Sequence, residues 1–262
     1  MSEVRLERRG LIALLTLNRP DALNALSVSM ASELALAVEE ASRSEDVRII
    51  VITGEGRAFS AGGDIGFMKK VIDQGGRFED FEPLVGGGPG VVRAIVRAKV
   101  PVLAAVNGVA AGGGMSLALA CDIRWAAEGA RFGQSFVKIG LHPDWGAVYT
   151  LPRLVGVSRA LELMWTGDLI GAVEAERIGL VSRVLPPDRL LPEMLDFATR
   201  LARGPDIALS EIKRSVGESL GYTLEEALAR ELNAQERCWG TADAKEGIKA
   251  FLEKREAKFE GR

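Results

Sequence analysis

The chain has 262 residues, 47% of them hydrophobic and 26% charged, which is ordinary globular material and enough to bury one large core or a core with an appendage. The formal net charge is −3 and no long basic run appears, so bulk charge does not point to nucleic acid, although local cations leave a phosphorylated ligand open. Cys121 and Cys238 make no CxxC pair, the single histidine (His142) excludes a histidine-rich metal centre, and there is no GxSxG elbow. The N-terminus MSEVRLERRG lacks an apolar signal core, and the longest apolar run, 100–120, is broken by Pro101, Asn107 and four glycines. No membrane span is expected, and the cytoplasm is the expected compartment.

In chain order, residues 4–7 and 11–17 are expected to pair as a hairpin, stopped at Asn18-Arg19-Pro20. Ser27 has the character of an N-cap for a helix over 28–42, with Met30, Leu34 and Val38 on one face. VRIIVIT at 47–53 reads as a buried strand. The polar, glycine-rich segment 57–90 reads as a short helix over 65–72 and a mobile loop. A helix is expected over 91–97, a strand over 101–106 and a helix over 115–120. Further strands are expected at 123–126, 131–132 and 180–185, with helices at 151–166 and 172–179. Beyond 190 strand signals vanish and helices are expected over 190–203, 207–219, 224–239 and 242–258. The expected fold class is therefore α/β, with a core over 1–195 and a helical region over 196–262, hinged near Gly204-Pro205.

Two segments carry the functional signal, Phe59-Ser60-Ala61-Gly62-Gly63-Asp64 and Asn107-Gly108-Val109-Ala110-Ala111-Gly112-Gly113-Gly114. Both follow predicted strands, and the second leads into a helix. Glycines there admit a ligand close to backbone N–H groups, and a helix start adds unpaired donors and a favourable dipole. Neither segment is GxxxxGK[ST] or GxGxxG. On these grounds alone, anion or oxyanion binding and plain tight packing both stay open.

With NRPDALNAL (18–26), GRAFSAGGDI (56–65), PVLAAVNGVAAGGGMSLALACDI (101–123), GLHPDWGAVYTLPRLVG (140–156), GLVSRVLP (179–186) and FLEKREAKF (251–259) in this order, the chain resembles the enoyl-CoA hydratase/isomerase (crotonase) superfamily. The resemblance implies a spiral of ββα units with a C-terminal helical trimerisation region, a homo-trimer or homo-hexamer, and an acyl-CoA substrate. It implies no metal and no cofactor beyond coenzyme A as part of that substrate. It places the two N–H donors for a thioester oxyanion at Gly63 and Gly113, where donors aimed at developing charge are effective catalysts. It assigns Ala22, Leu23 and Ala61 to the adenine and pantetheine path, with Asp64 and Ile65 beside them, and Phe251 and Lys254 to a C-terminal contribution from this or a neighbouring subunit. A family lysine after the oxyanion motif is replaced by Gly66, with Lys69 or Lys70 as substitutes.

The two glutamates typical of the family's hydratases fall at Ser116 and Phe136, so both are missing. Asp144, at a position where family isomerases often carry an aspartate, is the expected proton shuttle. An apolar setting beside Trp145 and Phe136 would raise its pKa. The bland reading has Asp144 capping the next turn or pairing with Arg153, and His142 bonded to backbone. The family's aryl-CoA dehalogenases use this position as a nucleophile with a tryptophan and a loop histidine that this chain does not match. The site residues most resemble the family's Asp-dependent isomerases, including the phenylacetate-pathway ring-epoxide CoA isomerases, so the leading expectation is an isomerase of an enoyl-CoA or a related CoA thioester. The alternatives are an enoyl-CoA hydratase with a non-standard acid/base set and, from another class, a non-catalytic CoA-binding protein.

Overall fold

A computed structural model describes residues 2–261. Strands β1 (Val4–Arg9) and β2 (Ile12–Leu17) form the expected antiparallel hairpin. Helix α1 (Val28–Arg43) then crosses over to β3 (Ile49–Gly54), which lies parallel to β2. Ser27 caps α1 by accepting from the Met30 N–H at 3.0 Å. After β3 the chain alternates between two sheets. Short β4 (Ala58–Ser60) is followed by α2 (Ile65–Asp73) and α3 (Phe78–Arg97). Long β5 (Val102–Val106) leads to short β6 (Val109–Ala111) and α4 (Gly113–Ala120). Long β7 (Ile123–Ala127) leads to short β8 (Arg131–Gly133). The long strands join one sheet in the order β1-β2-β3-β5-β7-β10, where β10 is Arg183–Leu185, and the short ones join another in the order β4-β6-β8-β9, where β9 is Ile170–Gly171. This is the crotonase-like spiral of ββα units.

Alternation along the long strands sends their side chains to two apolar layers. Leu15, Ile50, Ile52, Val102, Ala104 and Val106 face α1, α3 and α4. Ile12, Leu14, Ile49, Val51, Leu103, Ala105 and Trp125 face α8 (Pro187–Ala202), which presents Leu190, Met194, Ala198 and Ala202 at helical spacing. Residues 195 and 196, the expected division between core and tail, both lie inside α8. The chain leaves the sheet only after Ala202.

Several expectations need correction. The segment 78–90 is not a loop but the first two-thirds of α3, with Pro83 and Pro89 inside the helix. Its buried positions Leu84, Gly88, Val91 and Ile95 follow a helical stripe in which a glycine stands at a core position. A Cβ on Gly88 would sit 2.3 Å from the Trp145 ring, so glycine there gives room to an indole. The helix expected over 151–166 is two, α5 (Ala147–Val155) and α6 (Val157–Thr166), broken at Gly156 with φ 81°. The strand expected at 180–185 shortens to β10, and the last helix ends at Leu252 rather than 258.

Beyond α7 (Ala172–Arg177) and α8 come α9 (Asp206–Ser219), α10 (Leu224–Trp239) and α11 (Ala242–Leu252). No side chain of α9 or α10 is fully buried, and Ile212, Val216, Leu224 and Leu232 are exposed. Among the described residues no helix is long and apolar enough to cross a membrane.

Candidate active site

The site is assembled where β4 and β6 end. Residues 23–26 run beside 61–64 as a short parallel pair: Ala61 N–H donates to Leu23 O at 2.9 Å, Leu26 N–H to Gly62 O at 2.7 Å and Asp64 N–H to Leu26 O at 3.2 Å. This pairing fixes the plane of the Gly63 N–H. Two asparagines hold the preceding turn. Asn24, fully buried with φ 55°, donates to Glu55 O at 2.9 Å and Ala58 O at 2.8 Å. Asn107 accepts from Gly54 N–H at 3.1 Å and donates to Gly56 O at 2.9 Å. Sequence reasoning gave neither a role. Asparagine tolerates left-handed backbone and bonds locally, so its presence beside two turns was the available signal.

On the other side, Gly112 adopts φ 49°, ψ −123°, a conformation open to glycine, and its N–H donates to Gly133 O at 2.8 Å. Gly113 then opens α4, so its N–H belongs to the helix start and lacks an intrahelical acceptor. Gly114 lies against β4: a Cβ on it would meet Ser60 O at 2.3 Å. A Cβ on Gly113 would lie 3.9 Å from the Gly63 N and 3.8 Å from Asp144 Oδ1. Among the described residues no protein acceptor takes either the Gly63 or the Gly113 N–H. Two free donors and one carboxylate therefore converge on one point.

That point is the wall of a cavity of about 270 Å³, lined by Leu26, Gly63, Met68, Phe81, Leu84, Gly113, Phe136, His142, Asp144 and Trp145 among others. Among the described residues Asp144 is the one carboxylate on this wall. Its Oδ1 is buried without a hydrogen-bond partner, and burial pushes its pKa up to about 6 against the smaller opposing pull of a backbone hydrogen bond and of His142. Neither bland role for Asp144 holds. Arg153 stacks on the Tyr149 ring and donates to Tyr149 O, and the turn is closed by the Asp144 carbonyl, not its carboxylate. Consecutive positive φ values at Trp145 (51°) and Gly146 (75°) turn the chain sharply, with Trp145 buried against α3. His142 is exposed, with Nδ1 2.6 Å from Pro143 O.

The expected site residues thus divide. Gly63, Gly113, Phe136, Asp144 and Trp145 share the cavity. Ile65 and Lys69 line an adjoining apolar groove of about 460 Å³ that shares Met68, Phe78, Phe81 and Leu141 with it. Asp64 faces neither. It caps α2 through Phe67 N–H at 3.1 Å and pairs with Arg19 at 2.9 Å; burial opposes its ionisation, but Arg19 and the backbone donors outweigh this and lower its pKa. Ser116 is fully buried and bonds back to Gly112 O at 3.1 Å, so it cannot hold a water in the cavity. Ala22, Leu23 and Ala61 line neither cavity, and the Ala61 N–H donates to Leu23 O in the pairing that precedes Gly63. Phe251, 83% exposed, and Lys254 line neither cavity of their own chain.

Comparison with known proteins gives the family. The family model described as enoyl-CoA hydratase/isomerase matches residues 7–262. A crotonyl-CoA hydratase of Syntrophomonas wolfei is 42% identical, with 97% of this chain and 96% of that protein aligned. A short-chain-enoyl-CoA hydratase of Clostridium acetobutylicum is 38% identical over 100% of this chain and 98% of its own. The crystal structure of an enoyl-CoA hydratase from Bacillus anthracis superposes with a TM-score of 0.93 at 33% identity, covering 99% of this chain and 100% of that one. With its spiral fold and this match along nearly the whole sequence, the chain belongs to the enoyl-CoA hydratase/isomerase family of acyl-CoA enzymes.

Proposed function

We propose that the protein isomerises an enoyl-CoA or a related CoA thioester, with Asp144 as its proton shuttle. The observation that carries this reading is the lone carboxylate: Asp144 offers a buried, unpartnered oxygen beside Gly113. A base in this setting removes a proton from the α or γ carbon of a 3-enoyl or 2-enoyl thioester. The electron pair moves to the thioester oxygen, where the Gly63 and Gly113 N–H groups receive the enolate. The same carboxyl then returns the proton to the other carbon, and the double bond has moved. One group with a pKa near the working pH suffices for both transfers.

Coenzyme A enters as part of the substrate, and the reaction needs no further cofactor. The apolar stripes Ile212-Val216-Leu220 and Leu224-Leu228-Leu232, exposed at a spacing of four, support assembly of a homo-trimer or hexamer through the C-terminal helices.

A second reading is hydration of a trans-2-enoyl-CoA, favoured by the relatives described as hydratases. It would assign Asp144 to a water, because the other two acid/base positions are the turned-away Ser116 and the apolar Phe136. Side-by-side rates on 3-enoyl-CoA and trans-2-enoyl-CoA distinguish the two. The isomerase reading expects double-bond migration to exceed hydration, and Asp144→Asn to lower it by about 10³-fold. Faster hydration that survives in Asp144→Asn would overturn it, and CoA-ester binding with no turnover of either would leave a non-catalytic binder.

A further inference from the structure

Ser116 stands where the family's hydratases carry an acid, and its hydroxyl has a different task. It is fully buried, and Oγ donates to Gly112 O at 3.1 Å. That carbonyl and the Gly113 N–H are the two ends of one peptide unit. The Ser116 N–H donates to the same oxygen at 3.0 Å, so the carbonyl is held from two directions. A carbonyl only accepts, so the single hydroxyl proton of Ser116 is committed to it and the hydroxyl oxygen is left to accept. Gln134 supplies that donor: it is fully buried, and its Nε2 lies 3.4 Å from Ser116 Oγ. The other end of the Gln134 amide, Oε1, is buried with no hydrogen-bond partner. The amide is thus retained in the interior although only one end of it is satisfied.

A serine inside a helix often bonds back one turn, and by itself this means little. Here the acceptor is the capping residue, and its peptide ends in an N–H free to meet a ligand. Gly112 has no side chain to bias its backbone: its own N–H, in the preceding peptide, is held by Gly133 O, and the plane of the Gly112–Gly113 peptide is set at its carbonyl by Ser116.

We propose that Gln134 and Ser116 are positioning residues that align and polarise the Gly112–Gly113 peptide, making the Gly113 N–H a stronger and better aimed oxyanion donor. Hydrogen bonds in series reinforce one another in a low-dielectric interior, so a donor at the carbonyl end of an amide strengthens donation at its N–H end. The proposal rests on the reading of Gly113 as a donor to the thioester oxygen. Because the chain acts through the peptide, neither side chain needs to reach the substrate.

The test is isotope-edited infrared spectroscopy of saturated butyryl-CoA labelled with carbon-13 at the thioester carbonyl, bound to the wild type, Ser116→Ala and Gln134→Leu. In the wild type the carbonyl stretch falls on binding. Ser116→Ala loses a large part of that downshift, and kcat on an enoyl-CoA falls about tenfold while KM changes less than about twofold. Gln134→Leu, which removes the outer donor at similar volume, shifts both readouts in the same direction by less. A full downshift in both variants would overturn the proposal, even if turnover fell. No downshift in the wild type would instead overturn the donor reading of Gly113, and this proposal with it. If Ser116→Ala does not fold, Gln134→Leu alone decides: a carbonyl frequency unchanged from the wild-type complex rejects the relay, whatever happens to kcat.

Discussion

Gly86-Gly87-Gly88 and Gly112-Gly113-Gly114 have the same composition and opposite uses. The first triplet lies in the interior of a twenty-residue helix, where glycine is intrinsically unfavourable. It is tolerated because neighbours close in on it: a Cβ on Gly87 would meet the Ala31 methyl at 2.7 Å, and one on Gly88 the Trp145 ring at 2.3 Å. The second triplet turns a strand into a helix. Gly112 takes the left-handed backbone, Gly113 opens its N–H to the cavity, and Gly114 lets β4 pass. A glycine run therefore reports close approach, and only its surroundings say whether a side chain or a substrate does the approaching. Residues 144 and 145 link the two, since Trp145 seats on the first triplet and Asp144 stands beside the second.

Substitutions in the triplets sharpen this contrast. The largest effect is expected from Gly114→Ala, whose methyl would strike the Ser60 carbonyl, a backbone atom with no freedom to swing away. Chemical denaturation should show a loss of about 3 kcal/mol together with collapse of activity. A loss below about 1 kcal/mol would mean that β4 and α4 are less tightly held than the contact distances imply. Gly88→Ala should cost less, about 1–2 kcal/mol, because an indole can tilt. It should also lower kcat by roughly tenfold, since displacing Trp145 moves its neighbour Asp144. Loss of stability without loss of turnover would uncouple the two triplets.

The smallest of these changes near neutrality is the response to pH. Burial holds the Asp144 pKa at about 6, above its usual range, and the base is the ionised form. Activity is therefore full only well above pH 6, half-maximal near it and lost as pH falls through it, with kcat/KM dropping about tenfold per pH unit well below that value. A profile flat down to pH 5 would show that no buried carboxylate acts as base.

Most of the fold was legible because its signals are local. The buried strands 49–54 and 102–106 are continuous apolar runs, and α1 starts at a serine that caps it. The expected helix over 91–97 is the last third of α3, and prolines and glycines, ordinarily helix breakers, mask its continuation back through 78–90, although Leu84 extends the helical period of Val91 and Ile95. In the site, Gly63, Gly113 and Asp144 could be placed from motif resemblance, and the structure brings them within a few ångströms of one another. Asp64 and Ser116 could not be read correctly, because their roles depend on Arg19 and on the Gly112 carbonyl, which only the folded chain sets against them. Asn24 was hidden for the same reason: its partners Glu55 and Ala58 lie more than thirty residues away.

The central claim is that Asp144 moves a proton on a thioester enolate held by Gly63 and Gly113. It is tested most directly by following deuterium incorporation at the α and γ carbons of a 3-enoyl-CoA in heavy water, with the wild type and Asp144→Asn at equal concentration. The account predicts exchange accompanied by double-bond migration in the wild type and neither in the folded variant. Exchange that persists at the wild-type rate in Asp144→Asn would contradict it.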